Sequence, residues 1–376
     1  MSKVLQLTTE LTARPSITPD DAGCQRLITE RLLPLGFDVE WFLCGDVSNV
    51  LFTRGRGSPS LWFLGHTDVV PTGPEDLWTF LPFHPDQKDG ELYGRGVADM
   101  KGAVAAMVVA LETYAQQHPD HDGQVGLLLT SDEEGPAIDG VTRVADQLKR
   151  RGTQPDYCLV GEPSSQVELG DTVRVGRRGS IYVRLKVNGI QGHTAFPENL
   201  DNPVHRIAPF LNDLVAQHWD TGDEDFPASH CQVAYVRAGT GAGNVTPSHV
   251  ELLANFRNGP GSPADAIQTR FKQLLRQHDI EDFEAEWEIM GEPFRSPAGK
   301  LRKAVVGAVE DLLGQSPDLN TGGGTSDGRY IAPLGTEVLE LGLLNTTIHQ
   351  VDERTPVADL DRLYAVYYDV IRRILE

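Results

Sequence analysis

The sequence predicts an α/β fold: a larger domain built on a mainly parallel sheet, with a ferredoxin-like α+β domain inserted into it. Three features carry this. Up to about Arg178, short apolar runs alternate with stretches of helical spacing, as in a sheet covered by helices. At Gly179 the texture changes, because Ile181, Val183, Leu185 and Val187 alternate with polar residues, as in a strand wet on one face. From Pro293 the first texture returns. The expected division is therefore 1–179 with 293–376, and 180–292 as the insert.

In the first part, residues 4–11, 23–33, 102–114 and 142–148 carry helical spacing, and residues 61–64, 125–129 and 157–160 are short apolar runs bounded by turn residues. Such runs read as strands buried on both faces. The insert reads as strand 181–187, helix 203–217, strands 231–237 and 249–257, helix 263–277 and strand 283–290, which is the ferredoxin-like order. The last part supplies a helix over 301–313, a Gly-rich loop over 321–328, a strand over 337–341 and a closing helix over 360–375. Residues 316–323 read as loop.

With 376 residues and 40% hydrophobic content, the chain is long enough for about two domains with a substantial core. A formal charge of −21 argues against nucleic-acid or anionic-membrane partners, which require clustered Lys and Arg to displace counterions. An anionic substrate therefore needs a local basic pocket. The four cysteines are scattered without a C-x-x-C pair, which suits reduced thiols and a cytoplasmic location. No stretch approaches a membrane span, and the N-terminal residues lack the unbroken apolar core of a secretory signal.

Each of the three apolar runs in the first part ends in side chains that bind metals. The first leads to His66 and Asp68, the second to Asp132, Glu133 and Glu134, and the third to Glu162. Ligands of open α/β sheets bind at the carboxyl ends of strands, so these groups converge on one edge. Asp99 adds a carboxylate where a Gly-rich turn enters the helix at 102. Any one acid at a strand end can be a solvated or capping group; the convergence carries the argument. Imidazole and carboxylate without cysteine suit catalytic zinc, with Mn or Co as substitutes. The carboxylates are too many for one tetrahedral ion, which calls for a second imidazole. Most other histidines have polar neighbours and read as surface groups, whereas His349 follows the C-terminal strand and can swing back over the sheet edge. Two ions can share a bridging carboxylate, for which Asp99 is the natural candidate. The adjacent Glu133 and Glu134 divide the labour between proton transfer and ligation, and Asp68 orients the His66 imidazole.

Gly65-His66-Thr67-Asp68, Gly94-Arg95-Gly96-Val97-Ala98-Asp99-Met100-Lys101-Gly102 and Thr130-Ser131-Asp132-Glu133-Glu134-Gly135 resemble the motifs of the dinuclear-zinc amidohydrolases related to aminoacylase, acetylornithine deacetylase and glutamate carboxypeptidase. The resemblance spans the whole chain. It implies two zinc ions per subunit, His66 and Glu162 on one, Glu134 and His349 on the other, Asp99 between them, and Glu133 as acid and base. It also implies a homodimer formed through the insert, with His193 reaching the partner subunit's site to stabilise the oxyanion.

Further stretches, Val160 to Ser165, Gly176 to Ser180, Gly322 to Arg329 and Asn345 to His349, resemble the branch of that family that releases succinate from N-succinyl-LL-diaminopimelate. Acetylornithine deacetylase chemistry is the alternative. The several carboxylates of that substrate require cations. Arg177, Arg178 and Arg257 are the candidates, because guanidinium grips carboxylate in a bidentate fork. Spacing alone leaves open which of Arg177 and Arg178 points inward, and the resemblance favours Arg177. Ser180, Asn244, Thr325 and Asn345 are candidate neutral hydrogen-bonding groups.

Gly324-Thr325-Ser326-Asp327-Gly328 satisfies G-x-S-x-G, a serine-hydrolase nucleophile elbow, but the elbow needs a strand directly before it. A noncatalytic binding protein on the same scaffold is disfavoured because every expected ligand position is filled.

Overall fold

The computed structural model describes residues 1–376 and divides the chain into two compact units, Met1–Gly176 with Arg295–Glu376, and Arg177–Phe294.

The first unit is built on an eight-stranded sheet. In spatial order its strands are Asp38–Cys44, Val47–Arg56, Gly123–Thr130, Ser60–His66, Tyr157–Val160, Glu337–Glu340, Thr172–Arg174 and Asp318–Asn320. The four central strands, from Gly123–Thr130 to Glu337–Glu340, run parallel to one another. The Ser60–His66 strand is buried at every position, which is why it reads as an unbroken apolar run. The Asp38–Cys44 and Val47–Arg56 hairpin has no counterpart in the sequence reading. Its outer strand lies at the sheet edge with only Phe42 buried, so no apolar periodicity announces it. Asp318–Asn320 is a short strand where a loop is expected, three residues long and with no fully buried position.

The helix Gly102–Gln117 forms the centre of the apolar core. Thirteen of its sixteen residues are buried, so it shows no polar stripe. Its Ala-rich sequence lets the helices Lys3–Thr12 and Val357–Leu375 pack closely against it. The one buried carboxylate on it, Glu112, receives two guanidinium hydrogen bonds from Arg31, at 2.7 and 2.9 Å. Just before it, the buried Lys101 donates to the carbonyls of Leu11 and Arg14, fastening the end of the first helix.

The second unit has the element order βαββαβ. Its antiparallel sheet runs His230–Ala238, His249–Asn258, Gly179–Asn188, Phe283–Gly291, with helices Pro203–Ala216 and Ala264–Gln277. This is the ferredoxin-like arrangement that the insert was expected to adopt. Ile181, Val183, Leu185 and Val187 point into a separate core with Phe210, Phe256 and Phe271.

Candidate metal centre

Parallel register places three of the site's segments at one level. His66, the last residue of its strand, pairs with Thr130, after which the chain turns through Ser131 and Asp132 to Glu133 and Glu134. On the other side Leu64 pairs with Val160, so Glu162 emerges beside His66. Backbone bonds from Thr67 N to Thr130 O, at 2.9 Å, and from Gly161 N to Leu64 O, at 3.1 Å, continue the ladder to this edge.

Asp99 and His349 reach the same point from loops. Gly96, with φ of 85°, turns the chain so that Asp99 faces the sheet edge before the central helix starts. That φ favours glycine, and a Cβ here would meet Val69 Cγ1 at 2.6 Å. The Glu353 carboxylate accepts hydrogen bonds from the backbone N–H groups of Gly96, Ala98 and Asp99. His349 sits in a turn beyond the Glu337–Glu340 strand, with φ of 61° and its side chain half exposed.

The resulting geometry is a chain of alternating imidazoles and carboxylates. His66 Nε2 lies 3.7 Å from Glu162 Oε1 and 3.3 Å from Asp99 Oδ1. The other oxygen of Asp99, Oδ2, lies 3.2 Å from His349 Nε2, which in turn lies 3.0 Å from Glu134 Oε1. Asp99 thus offers one oxygen to each imidazole. Two sets, His66 with Glu133 and Glu162, and His66 with Asp99 and Glu134, each bring their donor atoms within 4.8 Å of one another.

Asp68 faces the His66 ring chiefly through its backbone. The His66 Nδ1–H donates to the Asp68 backbone carbonyl at 2.9 Å, and the Asp68 carboxylate stands 3.6 Å away. That carboxylate instead accepts from the backbone N–H groups of Glu133 and Glu134, at 3.4 and 3.1 Å. It shapes the turn that presents both glutamates. In the neutral ring the carbonyl contact keeps the proton on Nδ1, so that Nε2 is the nitrogen a cation would meet.

The electrostatics of the pocket call for positive charge. Burial pushes Glu162 well above the ordinary carboxylate range, and Glu133 and Asp99 push it further. Glu133 is also driven well up by burial, which the His66 side chain opposes and Asp327 and Glu134 reinforce. Burial would lower His66, but Asp99 and Asp68 outweigh it and raise it well above its usual value. His349, bonded to Asp99 and Glu134, is raised to about 10. Burial would raise Asp99, yet His349 and His66 hold it low. Protons on the imidazoles thus balance part of the charge that a divalent cation would balance. His66 Nε2 and Asp99 Oδ1 are buried without a hydrogen-bond partner, and the donor set is nitrogen and oxygen only. The residues present fit divalent cations of the zinc, cobalt or manganese class.

The remaining candidates form two groups, one in each unit. In the first unit Thr325 and Asn345 are half-buried, and the Asn345 N–H donates to Ser165 O at 2.9 Å. In the second unit Ser180 pairs in register with Arg257, and its hydroxyl accepts from Asn255 at 3.2 Å. Arg177 is buried and Arg178 half-buried, with its Nη1 3.4 Å from His230. Burial lowers the Arg178 guanidinium, and the charges of Arg257 and Arg177 lower it further, so the three cations stand close together. His193 is exposed, and its loop joins that of Asn244 through a bond from Thr194 N to Asn244 O at 3.0 Å.

Ser326 is fully buried, and its hydroxyl donates to Glu340. The nearest preceding strand, Asp318–Asn320, ends well short of it, so no nucleophile elbow forms. Two groups escaped the sequence reading. Glu353 gathers the Asp99 loop, and the only hint is its place four residues beyond His349. Asp327 is buried with neither oxygen hydrogen-bonded, and burial, opposed by Arg329 and His66, brings it to about 7. It lies within the G-x-S-x-G stretch, directly after the serine.

Comparison with known proteins agrees with this architecture. The succinyl-diaminopimelate desuccinylase of Halorhodospira halophila is 50% identical over 375 residues, covering 100% of this chain and 99% of that protein. The protein of the same name from Methylococcus capsulatus is 49% identical over 375 residues, with the same coverage. Among solved structures, aminopeptidase PepT from Bacillus cereus superposes with a TM-score of 0.80 at 20% identity, covering 100% of this chain and 98% of that one. The Bacillus subtilis YXEP protein, described as a dinuclear metal binding peptidase, gives 0.72 at 15% identity, covering 99% and 98%. At those identities the two structures speak for the fold. The profile of peptidase family M20/M25/M40 matches residues 62–373, and the chain belongs to that family of hydrolytic enzymes.

Proposed function

We propose that the chain hydrolyses the succinyl amide of N-succinyl-LL-diaminopimelate, releasing succinate and LL-diaminopimelate, at a pair of divalent cations, zinc in the first instance with cobalt or manganese as substitutes. The observation that carries the reading is the placement of Asp99 between two imidazoles, one on each of its oxygens. Full-length relatives at about 50% identity that bear the desuccinylase name support the choice of substrate.

In this reading His66 and Glu162 would hold one cation and Glu134 and His349 the other, with one carboxylate oxygen of Asp99 available to each. The cations, when bound, polarise the amide carbonyl and acidify water. Glu133, half-buried next to His66 and Glu134, takes the proton of the attacking water and returns it to the departing amine nitrogen. Asp68 holds the turn that aims Glu133. Arg177, Arg178 and Arg257 are assigned to the carboxylates of the substrate, with Ser180, Asn244, Thr325 and Asn345 as neutral partners. His193 is assigned to the oxyanion, in a homodimer formed through the inserted unit. Succinate release by zinc-loaded enzyme, compared with acetate release from N-acetylornithine, tests the assignment. A preference of at least about a hundredfold for the succinyl amide is expected, because a site built for a charged acyl group is left unpaired by acetyl. Equal rates on the two substrates sink it.

A further inference from the structure

The two loops that carry Asp99 and His349 are not independent. Glu353, fully buried, accepts from Arg95 Nη1 at 2.7 Å and Gly96 N at 3.0 Å through Oε2, and from Ala98 N at 3.0 Å and Asp99 N at 3.1 Å through Oε1. Its own carbonyl accepts from Gly94 N at 2.9 Å. Arg95 Nη1 also reaches back to Gln350 O, the residue after His349, at 3.2 Å, and its guanidinium lies over the Trp78 ring at 5.1 Å. Next along the chain, Asp352 accepts from Thr79 N and Thr79 Oγ1, both at 2.7 Å. One carboxylate therefore ties the backbone on which Asp99 rides to the turn on which His349 rides.

His66 and Glu162 need no such tie. His66 closes a buried strand, and Glu162 follows one that is paired on both sides. We propose that Glu353, with Arg95, is a positioning residue that sets the spacing of Asp99 and His349 and so governs the cation shared by Asp99, Glu134 and His349. The proposal rests on the paired-cation reading above. Every acceptor site of the Glu353 carboxylate that the structure uses faces a donor, so an amide in its place must turn an NH2 group toward two N–H donors. It would face Arg95 with Gly96, or Ala98 with Asp99. Either choice loosens the loop at its root while leaving His66 and Glu162 untouched.

The test is a titration of metal-depleted protein with Co²⁺, followed by visible absorption and by counting bound ions, with no substrate present. Wild-type protein is expected to take up two ions per chain. Glu353→Gln is expected to bind the second ion, at Glu134 and His349, about 10–100-fold more weakly, the usual loss when a group supporting a ligand is removed, and to lose less affinity for the first, which keeps both His66 and Glu162. Should that variant not fold, Glu353→Asp, charged but one methylene shorter, is read in the same way. Unchanged affinity for the second ion overturns the proposal, as does an equal loss at both ions, which marks general damage to the pocket. Wild-type protein that binds no second ion sinks the paired-cation reading and this proposal with it, a result distinct from failure in the variant alone.

Discussion

Asp68 accepts the backbone N–H of Glu134 at 3.1 Å, so the residue two places after the candidate ligand His66 shapes the turn that carries two of the site's glutamates. Asp68→Asn exchanges one acceptor oxygen for a donor that faces N–H of Glu133 or Glu134. The expected result is a loss in kcat of about 10–100-fold, with His66 still held by the unaltered carbonyl. Steady-state kinetics with a parallel metal count check it. Loss of the ion at His66 in step with activity would show that the carboxylate orients the ring after all.

Glu133 is the acid and base of the proposed reaction. Glu133→Gln keeps the volume and removes the proton carrier, so turnover should drop by about 10²–10⁴-fold while metal content stays at the wild-type value. A variant with most of its rate left contradicts the role.

Metal affinity should depend on pH with a defined sign. His349 is raised to about 10, so in the metal-free protein it is protonated at neutral pH, and His66 is shifted in the same direction. A cation must displace the imidazole protons, so affinity increases as pH rises and binding releases protons into the buffer. Calorimetry in buffers of different ionisation enthalpy measures the release. A chelator should abolish activity, and added Zn²⁺ should restore it.

Away from the site, Asp156 provides a stability test. Burial would raise its carboxyl, but hydrogen bonds from the Ser58 hydroxyl, at 2.8 Å, and from Ser60 N and Oγ, at 2.8 and 3.0 Å, hold it below the ordinary range. A depressed folded pKa contributes stability above the unfolded value that is lost as pH falls through the folded one. The gap in unfolding midpoint between wild type and Asp156→Asn should therefore be full at neutral pH and shrink at acid pH. A gap that is constant with pH would assign the effect to shape alone.

The basic cluster gives a separate prediction. Arg178 is half-buried among Arg177 and Arg257, a crowding that an anion would relieve. Removing one guanidinium by Arg257→Ala or Arg178→Ala should raise KM for the succinyl amide, by about tenfold or more for loss of a charge-assisted pair. An unchanged KM in both variants would place the carboxylate elsewhere.

What the sequence made legible follows from where each group sits. His66, Glu134 and Glu162 were readable because strands buried on both faces leave continuous apolar runs, and whatever follows such a run lies at the sheet edge. His349 could be nominated by its place after the last of these strands. The outer hairpin strand was illegible because a solvated edge imposes no periodicity. Glu353 was illegible for a different reason: its partners are backbone N–H groups more than 250 residues away, and a main-chain donor leaves no mark on residue identity. The direction taken by the Asp68 side chain is a rotamer choice, which H-x-D spacing does not encode.

The near-complete burial of the Gly102–Gln117 helix bears on how the protein breathes. Amides along its buried stretch are expected to be among the slowest in the larger unit to trade hydrogen for deuterium. Asp99 hangs three residues from the start of this slow-exchanging rod, whereas His349 rides a half-exposed turn. Of the two sides of the pocket, the turn is the more exposed, and its buried tie to the other side runs through Glu353.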